Sequence, residues 1–418
     1  MVHPKLRPVE VIPVQQDGRQ SYALRDPTGL AADTIVISPA VAYILQRFDG
    51  AHSLEQIQAE LADAVGELVP LAQLASLVQS LEQAHFLEGP AFLKHEREVI
   101  AKYRAAKFRA PALAGQGYPA EREALLRWYE ELDAGFGEAD VPLADAPGPV
   151  VGFAAPHIDL RFGASSCKLA HQRHFEGAGP IDTVVVLGTG HTAQAELFTL
   201  TRQSYGTPLG VVETDAELAE GLVRRLGDPA LLAEELQHLA EHSVEFQSLF
   251  LRLQAERQGA ESAAPRMLPV LVGSFAELLE RNQEPFEDPR VRGFVEGLQA
   301  EVRELGRRVT YLASIDLAHL GPRYGDADGL DEERARQVER DDRALLAFAE
   351  AGDPEGFFRH NQAVMDERRV CGFSALYTLL RLLPGARGRL LRYTQTTFPG
   401  SIDTVSHCAM MFYRDGVG

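Results

Sequence analysis

Histidine and aspartate residues follow three apolar segments of the sequence, at the point where each segment ends. His157 follows VVGFAAP, His191 follows VVVLGTG, and Asp316 and His319 lie in SIDLAHLG after the segment TYLA. In an open α/β sheet, ligands bind beyond the carboxyl ends of the strands, so we expect these side chains to converge. Imidazole is the commonest metal ligand, and histidines on separate rigid strands can hold a divalent ion. The pattern predicts a metal centre, although any single histidine could instead have a buried or capping role.

A cysteine adds a fourth element to this group. Cys371 lies in RVCGFS, directly before the predicted helix ALYTLLRLL. Backbone dipoles at a helix N-terminus stabilise a thiolate, which makes the residue a better metal ligand or nucleophile. The alternative is a small buried apolar residue, the usual state of a free cysteine. Cys167 and Cys408 have no polar setting that indicates a role in chemistry.

The turn that carries His191 also fits a nucleotide-binding pattern. Residues 188–193 read GTGHTA, which matches the G-x-G-x-x-G/A loop of dinucleotide-binding folds, and Glu213 and Asp215 follow at about the distance of the ribose-binding acid. That loop must run into a helix whose N-terminus receives the pyrophosphate. Here the next segment, AELFTLTRQSYGTPLG, alternates like a strand. We therefore interpret the turn as one that presents His191 to a metal.

The string HLAEH, residues 238–242, supports a second interpretation. It matches H-x-x-E-H, the inverted zincin pattern, and histidines four apart on a helix share one face and can bind zinc. A zinc peptidase that uses His238 and His242 is therefore an alternative, although the sequence singles out no distal carboxylate ligand. In the other interpretation, His242 is a general acid or base beside the metal and is held by Glu241.

The elements that must position these residues alternate between strands and helices. We predict an α/β fold with a central mixed sheet and helices on both faces over residues 109–418. The predicted strands are residues 150–155, 183–187, 197–201, 267–272, 310–314, 390–396 and 406–413.

Residues 1–95 are predicted to form a separate, small α+β module of the winged-helix type. SYALRDP is a predicted strand, Ser38-Pro39 and Ser53 mark two helix starts, a third helix begins near Pro70, and residues 84–87 suit a wing. Residues 96–108 are predicted to be a helical linker. The pattern FDGAHSLEQIQAELADAVG with LVQSLEQAHFLEG resembles PqqD-like peptide-recognition modules. The resemblance implies a peptide or protein partner, and a purely structural or dimerising module is the alternative.

Composition excludes several classes of function. The formal net charge of the 418-residue chain is -19, and residues 1–95 alone hold six Lys/Arg against eleven Asp/Glu, so nucleic acid is not an expected partner. No apolar run reaches the roughly 18 residues of a membrane span, and the start of the chain lacks a secretory apolar region, so we expect no membrane association. Three cysteines at unrelated spacings suit reduced thiols in the cytoplasm.

A series of short motifs runs from residue 109 to the end of the sequence: RAPALAGQGYPA, AAPH, LGTGHT, YGTPLGVVETD, EHSVEF, LPVLVGSF, SIDLAHLG, CG and YTQTT. Taken in this order, they resemble the Memo family, also called AmmeMemoRadiSam system protein B. The resemblance implies the fold of class III extradiol ring-cleaving dioxygenases. It implies that His157, His191 and Cys371 are the metal ligands and that His242 occupies the position of the catalytic base. Asp316 and His319 correspond to further residues of the pocket.

The resemblance also suggests a chemistry. A soft thiolate beside two imidazoles suits non-haem iron or copper in a redox role, with zinc as a further candidate. The expected protein is then a metal-dependent oxidoreductase that acts on a small-molecule or peptide-borne substrate, with a radical SAM system as a partner. A binding or scaffold protein on a vestigial dioxygenase fold is the alternative. The chain departs from the family pattern in its GTGHT loop, at Ile158-Asp159 and at Ala318.

Overall fold

A computed structural model describes residues 3–16, 19–31, 34–66, 68–132, 148–192, 195–259 and 264–414. The chain divides into two compact units, Met1–Ala106 and Lys107–Gly418. In the part of the chain that the structure describes, no helix is both long and apolar enough to cross a membrane.

The first unit is a three-stranded antiparallel sheet followed by four helices. Ser38 caps the first helix through its side chain, and Ser53 and Gln56 form the capping box predicted for the second. Leu87, in the predicted wing, forms an isolated bridge with Leu6. The fourth helix covers most of the predicted linker. The elements are β1 (Glu10–Gln16), β2 (Arg19–Arg25), β3 (Ile35–Ile37), α1 (Pro39–Leu45), α2 (Leu54–Val65), α3 (Leu71–Gln83) and α4 (Pro90–Ala105).

The second unit is built on one eight-stranded mixed sheet, which confirms the predicted fold class. Helices cover both faces of this sheet. Its elements are α5 (Arg122–Glu131), β4 (Val150–Ala155), α6 (Leu160–Gly177), β5 (Thr183–Thr189), β6 (Phe198–Leu200), β7 (Tyr205–Thr207), β8 (Gly210–Val212), α7 (Ala216–Leu226), α8 (His242–Gln258), β9 (Arg266–Val272), α9 (Ala276–Glu280), α10 (Pro289–Glu304), β10 (Val309–Ser314), β11 (His319–Leu320), α11 (Glu332–Glu350), α12 (Pro354–Ala363), α13 (Phe373–Leu382), β12 (Ala386–Thr397) and β13 (Thr404–Arg414).

The order of the strands is β11-β13-β4-β10-β5-β9-β6, with β12 paired to β13. Strands β4, β10, β5 and β9 run parallel, and the strands outside them pair antiparallel. The hairpin β7–β8 and the short β11 lie outside the predicted strands. The four parallel strands therefore end at a common edge of the sheet, which we call the carboxyl edge.

Strand β5 shows how the core is divided between the two faces. Val184 and Val186 pack into one apolar cluster with α5, α6 and α8, while Val185 and Leu187 pack into another with α7, α10 and α13. Successive residues of a strand point to opposite faces, and a strand buried on both faces must be apolar throughout. Because β5 is buried on both faces, its end holds the start of the loop that carries His191 in one position.

Candidate metal centre

Strand register brings the first group of predicted residues together at the carboxyl edge. Ser314, the last residue of β10, pairs with Ala155 of β4 and with Gly188 of β5. The residues that follow β4, β10 and β5 therefore begin at the same position along the sheet edge. The ring centroids of His157 and His191 are 4.9 Å apart, and the backbone N–H of His157 donates to Asp316 Oδ1 over 3.2 Å.

Gly188 is required by packing at this edge rather than by a nucleotide. A Cβ at this position would lie 2.5 Å from Val244 Cγ2 and 2.8 Å from Ser243 Oγ, so only glycine lets the start of α8 approach β5. That approach places the His242 ring 4.8 Å from the His191 ring, with 18° between their planes. Strand β5 leads to strand β6, as predicted, and not to a helix. Among the described residues that follow the turn, the dinucleotide pattern therefore has no phosphate-binding helix.

Cys371 reaches the same place through a second close backbone approach. A Cβ on Gly372 would lie 2.4 Å from Ile315 Cβ and 2.6 Å from the Asp316 carbonyl oxygen. The Gly372 N–H donates to that carbonyl over 3.0 Å. Cys371 Sγ consequently lies 3.4 Å from His157 Nε2. Helix α13 begins two residues after the cysteine, close to the predicted start.

The predicted residues form two overlapping sets of metal-ligating groups. In each set, one ligand atom from every residue lies within 4.8 Å of the others, and His157 belongs to both. Metal–nitrogen and metal–sulfur bonds of about 2.0–2.3 Å place the ligands of one ion at comparable separations. The residues present could therefore hold a metal ion. The sets are His157, His191 and His242, and His157, Asp316 and Cys371.

His157 has the properties of a ligand. Burial lowers the pKa of its imidazole to about 3, so the ring is neutral near pH 7, which is the form that binds metals. Its Nε2 faces Cys371 Sγ and lies 3.6 Å from Asp316 Oδ2, and its buried Nδ1 has no hydrogen-bond partner among the described residues. Burial opposes ionisation of Asp316, but nearby histidines, His157 first, hold the pKa of this carboxyl below its usual value.

Burial also decides the charge of the thiol. Burial raises the pKa of the Cys371 thiol, and a hydrogen bond with His191 opposes this effect only in part. The thiolate that we expected at this helix start is therefore not favoured by the protein alone. A bound cation is what would stabilise the ionised form.

Glu241 links two of the site histidines. Its carboxylate lies 3.1 Å from His191 Nδ1 and 3.2 Å from His242 Nδ1. Burial alone would raise the pKa of Glu241, but His191 and His242 hold it well below the usual value, so the group is an anion. Burial lowers the pKa of His191, whereas the Glu241 carboxylate raises it. The resulting pKa of His191 lies well above the ordinary value of a histidine. The sequence indicated the contact with His242 but not the one with His191.

The zinc-peptidase interpretation is wrong because His238 and His242 do not share a helix face. His238 lies in the 3₁₀ turn Glu235–Leu239, and α8 begins only at His242. His238 is fully buried, with Nδ1 2.8 Å from the Tyr205 hydroxyl and Nε2 3.0 Å from the Thr199 carbonyl oxygen. Both ring nitrogens are engaged in structural hydrogen bonds. Burial lowers the pKa of His238 to about 4.

Three further polar residues lie near the centre. His319 Nδ1 donates to the Leu317 carbonyl over 2.9 Å, which fixes the ring beside the Asp316 segment. Asp159 caps α6 and pairs with Arg161, so its carboxylate already has partners. His407 is fully buried on β13 and acts electrostatically on Asp316. Sequence reasoning missed His407 because it stands inside a strand rather than after one.

A cavity of about 240 Å³ opens beside His191 and Cys371. Apolar side chains form much of its wall, and Asp366 and Arg369 add charge. A small molecule in this cavity would therefore be next to the proposed ligands. The apolar lining residues are Val272, Phe275, Ala276, Leu279, Val370 and Phe373.

Fold and site together define an α/β protein with a candidate metal centre at the carboxyl edge of a mixed sheet. The chain belongs to the Memo-like protein family, whose model matches residues 109–411.

Its relatives divide by how much of the chain they cover. A MEMO1 family protein of Aquifex aeolicus is 25% identical over 94% of this chain and 96% of its own length. A MEMO1 family protein of Methanopyrus kandleri is 30% identical over 74% of this chain and 99% of its own length. One of Methanosarcina mazei is 29% identical over 69% of this chain and 92% of its own length. The Aquifex match thus extends into both units, whereas the archaeal proteins have about the length of the second unit.

Proposed function

We propose that the second unit is a metal-dependent oxidoreductase whose redox-active ion, iron or copper, is held by His157, His191 and Cys371. The observation that carries the proposal is the 3.4 Å approach of Cys371 Sγ to His157 Nε2 at the carboxyl edge of the sheet. A thiolate beside imidazoles favours copper or iron over the hard ions magnesium and calcium. The ion would supply one-electron chemistry to a substrate bound beside it.

Side chains around the ion have separable tasks in this proposal. His242 uses Nδ1 to bond Glu241, so proton exchange with a substrate takes place at Nε2. Asp316 accepts from the backbone of His157 and holds that ligand in place. His319 is fixed by the Leu317 carbonyl and lines the same edge.

The cavity suggests the size of the substrate. An apolar cavity of about 150 Å³ accommodates benzene, so the 240 Å³ cavity suits a substituted ring or a peptide-borne side chain of that size. The charged groups of Arg369 and Asp366 would orient a polar substituent. The proposed substrate is therefore a small or peptide-borne aromatic group.

Metal analysis after anaerobic purification tests the proposal. We expect one ion per wild-type chain, and loss of most of it in His157→Ala and Cys371→Ala. Cys408→Ala is the matched control, because this thiol is fully buried on β13 and belongs to neither ligand set. Unchanged metal stoichiometry in both site variants would overturn the proposal.

We further propose that the first unit binds a peptide or a partner protein, such as a component of a radical SAM system. Val11 on β1 and Val36 on β3 are each 51% exposed, which supports an interaction surface on the outer strands of its sheet. The test compares partner recovery by the full chain with recovery by residues 107–418. Equal recovery by both would contradict a partner-binding role of the first unit.

Tight partner binding by a wild-type chain that takes up no metal under reducing conditions would favour the alternative that the protein is a binding or scaffold protein.

A further inference from the structure

We propose that Glu241 is a positioning residue that orients both His191 and His242, so that His191 presents Nε2 to the ion and His242 presents Nε2 to the substrate. The inference rests on the proposed metal centre and adds to it a carboxylate that binds no metal itself. The Glu241 carboxylate contacts both rings at their Nδ1 atoms.

The contacts of this carboxylate are short and enclosed. Oε1 and Oε2 each lie 3.1 Å from His191 Nδ1, and Oε2 also accepts from the His191 backbone N–H over 3.1 Å. Oε1 lies 3.2 Å from His242 Nδ1. The Glu241 side chain is only 4% exposed, whereas the two histidine side chains are each 35% exposed. One carboxylate therefore fixes two rings that stack with 18° between their planes.

The helix fixes the carboxylate in turn. Glu241 is the N-cap of α8, and its Oε1 accepts from the Ser243 N–H over 2.9 Å. Positive charge at the helix N-terminus favours an anion there. The Glu241 carbonyl oxygen also accepts from the Arg109 guanidinium over 3.2 Å. Both backbone and side chain are thus held before any ion binds.

The chemistry of the acceptor sets the tautomer. An ionised carboxylate only accepts hydrogen bonds, so each Nδ1 that it contacts must carry a proton. In the neutral form of each ring, the lone pair that can bind a metal or accept a substrate proton is then on Nε2. A carboxylate behind a ligating histidine also raises the basicity of the ligand, and its loss typically costs about 10–100-fold in metal affinity.

Glu241→Gln separates this role from helix capping. The amide oxygen can still accept from Ser243 and from one histidine, but the amide –NH₂ then faces the other ring. That ring must accept at Nδ1 and carry its proton on Nε2, which is the wrong form for the site. Glu241→Asp is the conservative rescue, because it remains an acceptor and keeps the charge at the N-cap.

Cobalt(II) titration of the anaerobic full chain, followed by visible absorption, measures the effect. We expect Glu241→Gln to bind cobalt about 10–100-fold more weakly than wild type with an altered ligand-field spectrum, and Glu241→Asp to lose less. Asp215→Asn is the matched control, since Asp215 is a fully buried N-cap on α7 that contacts none of the site histidines. Its cobalt affinity should equal that of wild type.

Nitrogen-15 spectra of the histidine rings in the metal-free chain give a second readout that needs no ion. In wild type, Nδ1 of His191 and of His242 should carry a proton, and one of the two should lose it in Glu241→Gln. Wild-type cobalt affinity together with unchanged ring spectra in Glu241→Gln would overturn the inference. A wild-type chain that binds no cobalt would instead refute the metal centre, whatever the ring spectra show.

Discussion

Cys371 Sγ lies 3.4 Å from His157 Nε2, although 214 positions separate the two residues in the chain. The contact depends on two strand ends and one tight turn. His157 follows β4, and Gly372 brings the cysteine against the segment after β10. The relationship defines the proposed centre because it joins the soft ligand to a buried imidazole.

Cys371→Ser should change which metal binds best. A hydroxyl is a hard, weak ligand, so we expect copper(I) affinity to fall far more than manganese(II) affinity, because manganese prefers hard oxygen ligands. Competition titrations with each ion measure the change. Cys408→Ser alters a buried thiol that belongs to neither ligand set and should leave both affinities unchanged. Equal copper affinity in Cys371→Ser and wild type would remove the thiolate from the ligand set.

His242→Gln should retain the ion and lose the reaction. If His242 is an acid or base rather than a ligand, the metal stoichiometry of this variant equals that of wild type, while substrate turnover falls about 10²–10⁴-fold. Metal content can be measured before any substrate is identified. A metal content as low as that of His157→Ala would instead assign His242 to the three-histidine ligand set.

Acid should destabilise the second unit through His174. Burial lowers the pKa of this ring to about 3, and neither ring nitrogen has a hydrogen-bond partner among the described residues. The unfolded chain then binds more protons than the folded one between about pH 6.5 and pH 3, so stability falls as pH falls through that window. At pH 5 the contribution of this group is about 2 kcal/mol less than at pH 7.5.

His174→Phe removes that contribution, and the ring already stacks on Phe153 with centroids 4.3 Å apart. Urea unfolding at pH 7.5 and pH 5, followed by the single tryptophan, Trp128 on α5, reports on the second unit. We expect the loss of unfolding free energy between the two pH values to be about 2 kcal/mol smaller in the variant. The exposed His3→Phe should behave like wild type. An unchanged pH dependence in His174→Phe would exclude this ring as its source.

Glu245→Ala should destabilise the second unit severely. The Glu245 carboxylate accepts from Arg109 over 2.6 Å and from the Tyr118 hydroxyl over 2.7 Å, and the ion pair is almost fully buried. Removing one partner leaves an uncompensated buried charge, which costs about 3–5 kcal/mol. Chemical denaturation measures the loss. Glu339→Ala breaks only an exposed pair with Arg343 on α11 and should cost about 0.5 kcal/mol or less. Similar losses in both variants would contradict the prediction.

Residues 107–418 should fold and take up the ion without the first unit. The Methanopyrus kandleri relative matches over 99% of its own length while covering 74% of this chain. The proposed ligands and both sets of metal-ligating groups lie inside the second unit. We expect the isolated segment to have the metal stoichiometry and cobalt spectrum of the full chain. Loss of the ion from a folded 107–418 segment would show that the first unit contributes to the centre.

Much of the sheet could be predicted from the sequence, for a physical reason. Strands β4 and β5 are buried on both faces and carry continuous apolar runs, so their positions stand out. The strands β7, β8 and β11 have two or three residues, too few to establish an alternating pattern. Helix starts at Ser38 and Ser53 were predictable because capping depends on nearby residues.

The site was predictable only where its residues follow strands. His157, His191 and Asp316 meet because parallel strands share an edge, a rule that the sequence alone can use. The contact between Glu241 and His191 depends on the approach of α8 to Gly188, which no local pattern reveals. The H-x-x-E-H match failed for the same reason: a 3₁₀ turn ends before His242, and tertiary packing separates the two histidines.

His157 belongs to both ligand sets, one made of nitrogen donors alone and one that mixes nitrogen, oxygen and sulfur. An ion bound to this imidazole would be able to exchange its remaining ligands by a small displacement within the site. Ions that prefer nitrogen donors and ions that prefer sulfur would then find acceptable surroundings a short distance apart. We expect the loading of this protein in a cell to follow the supply of each metal more closely than it follows the shape of the site.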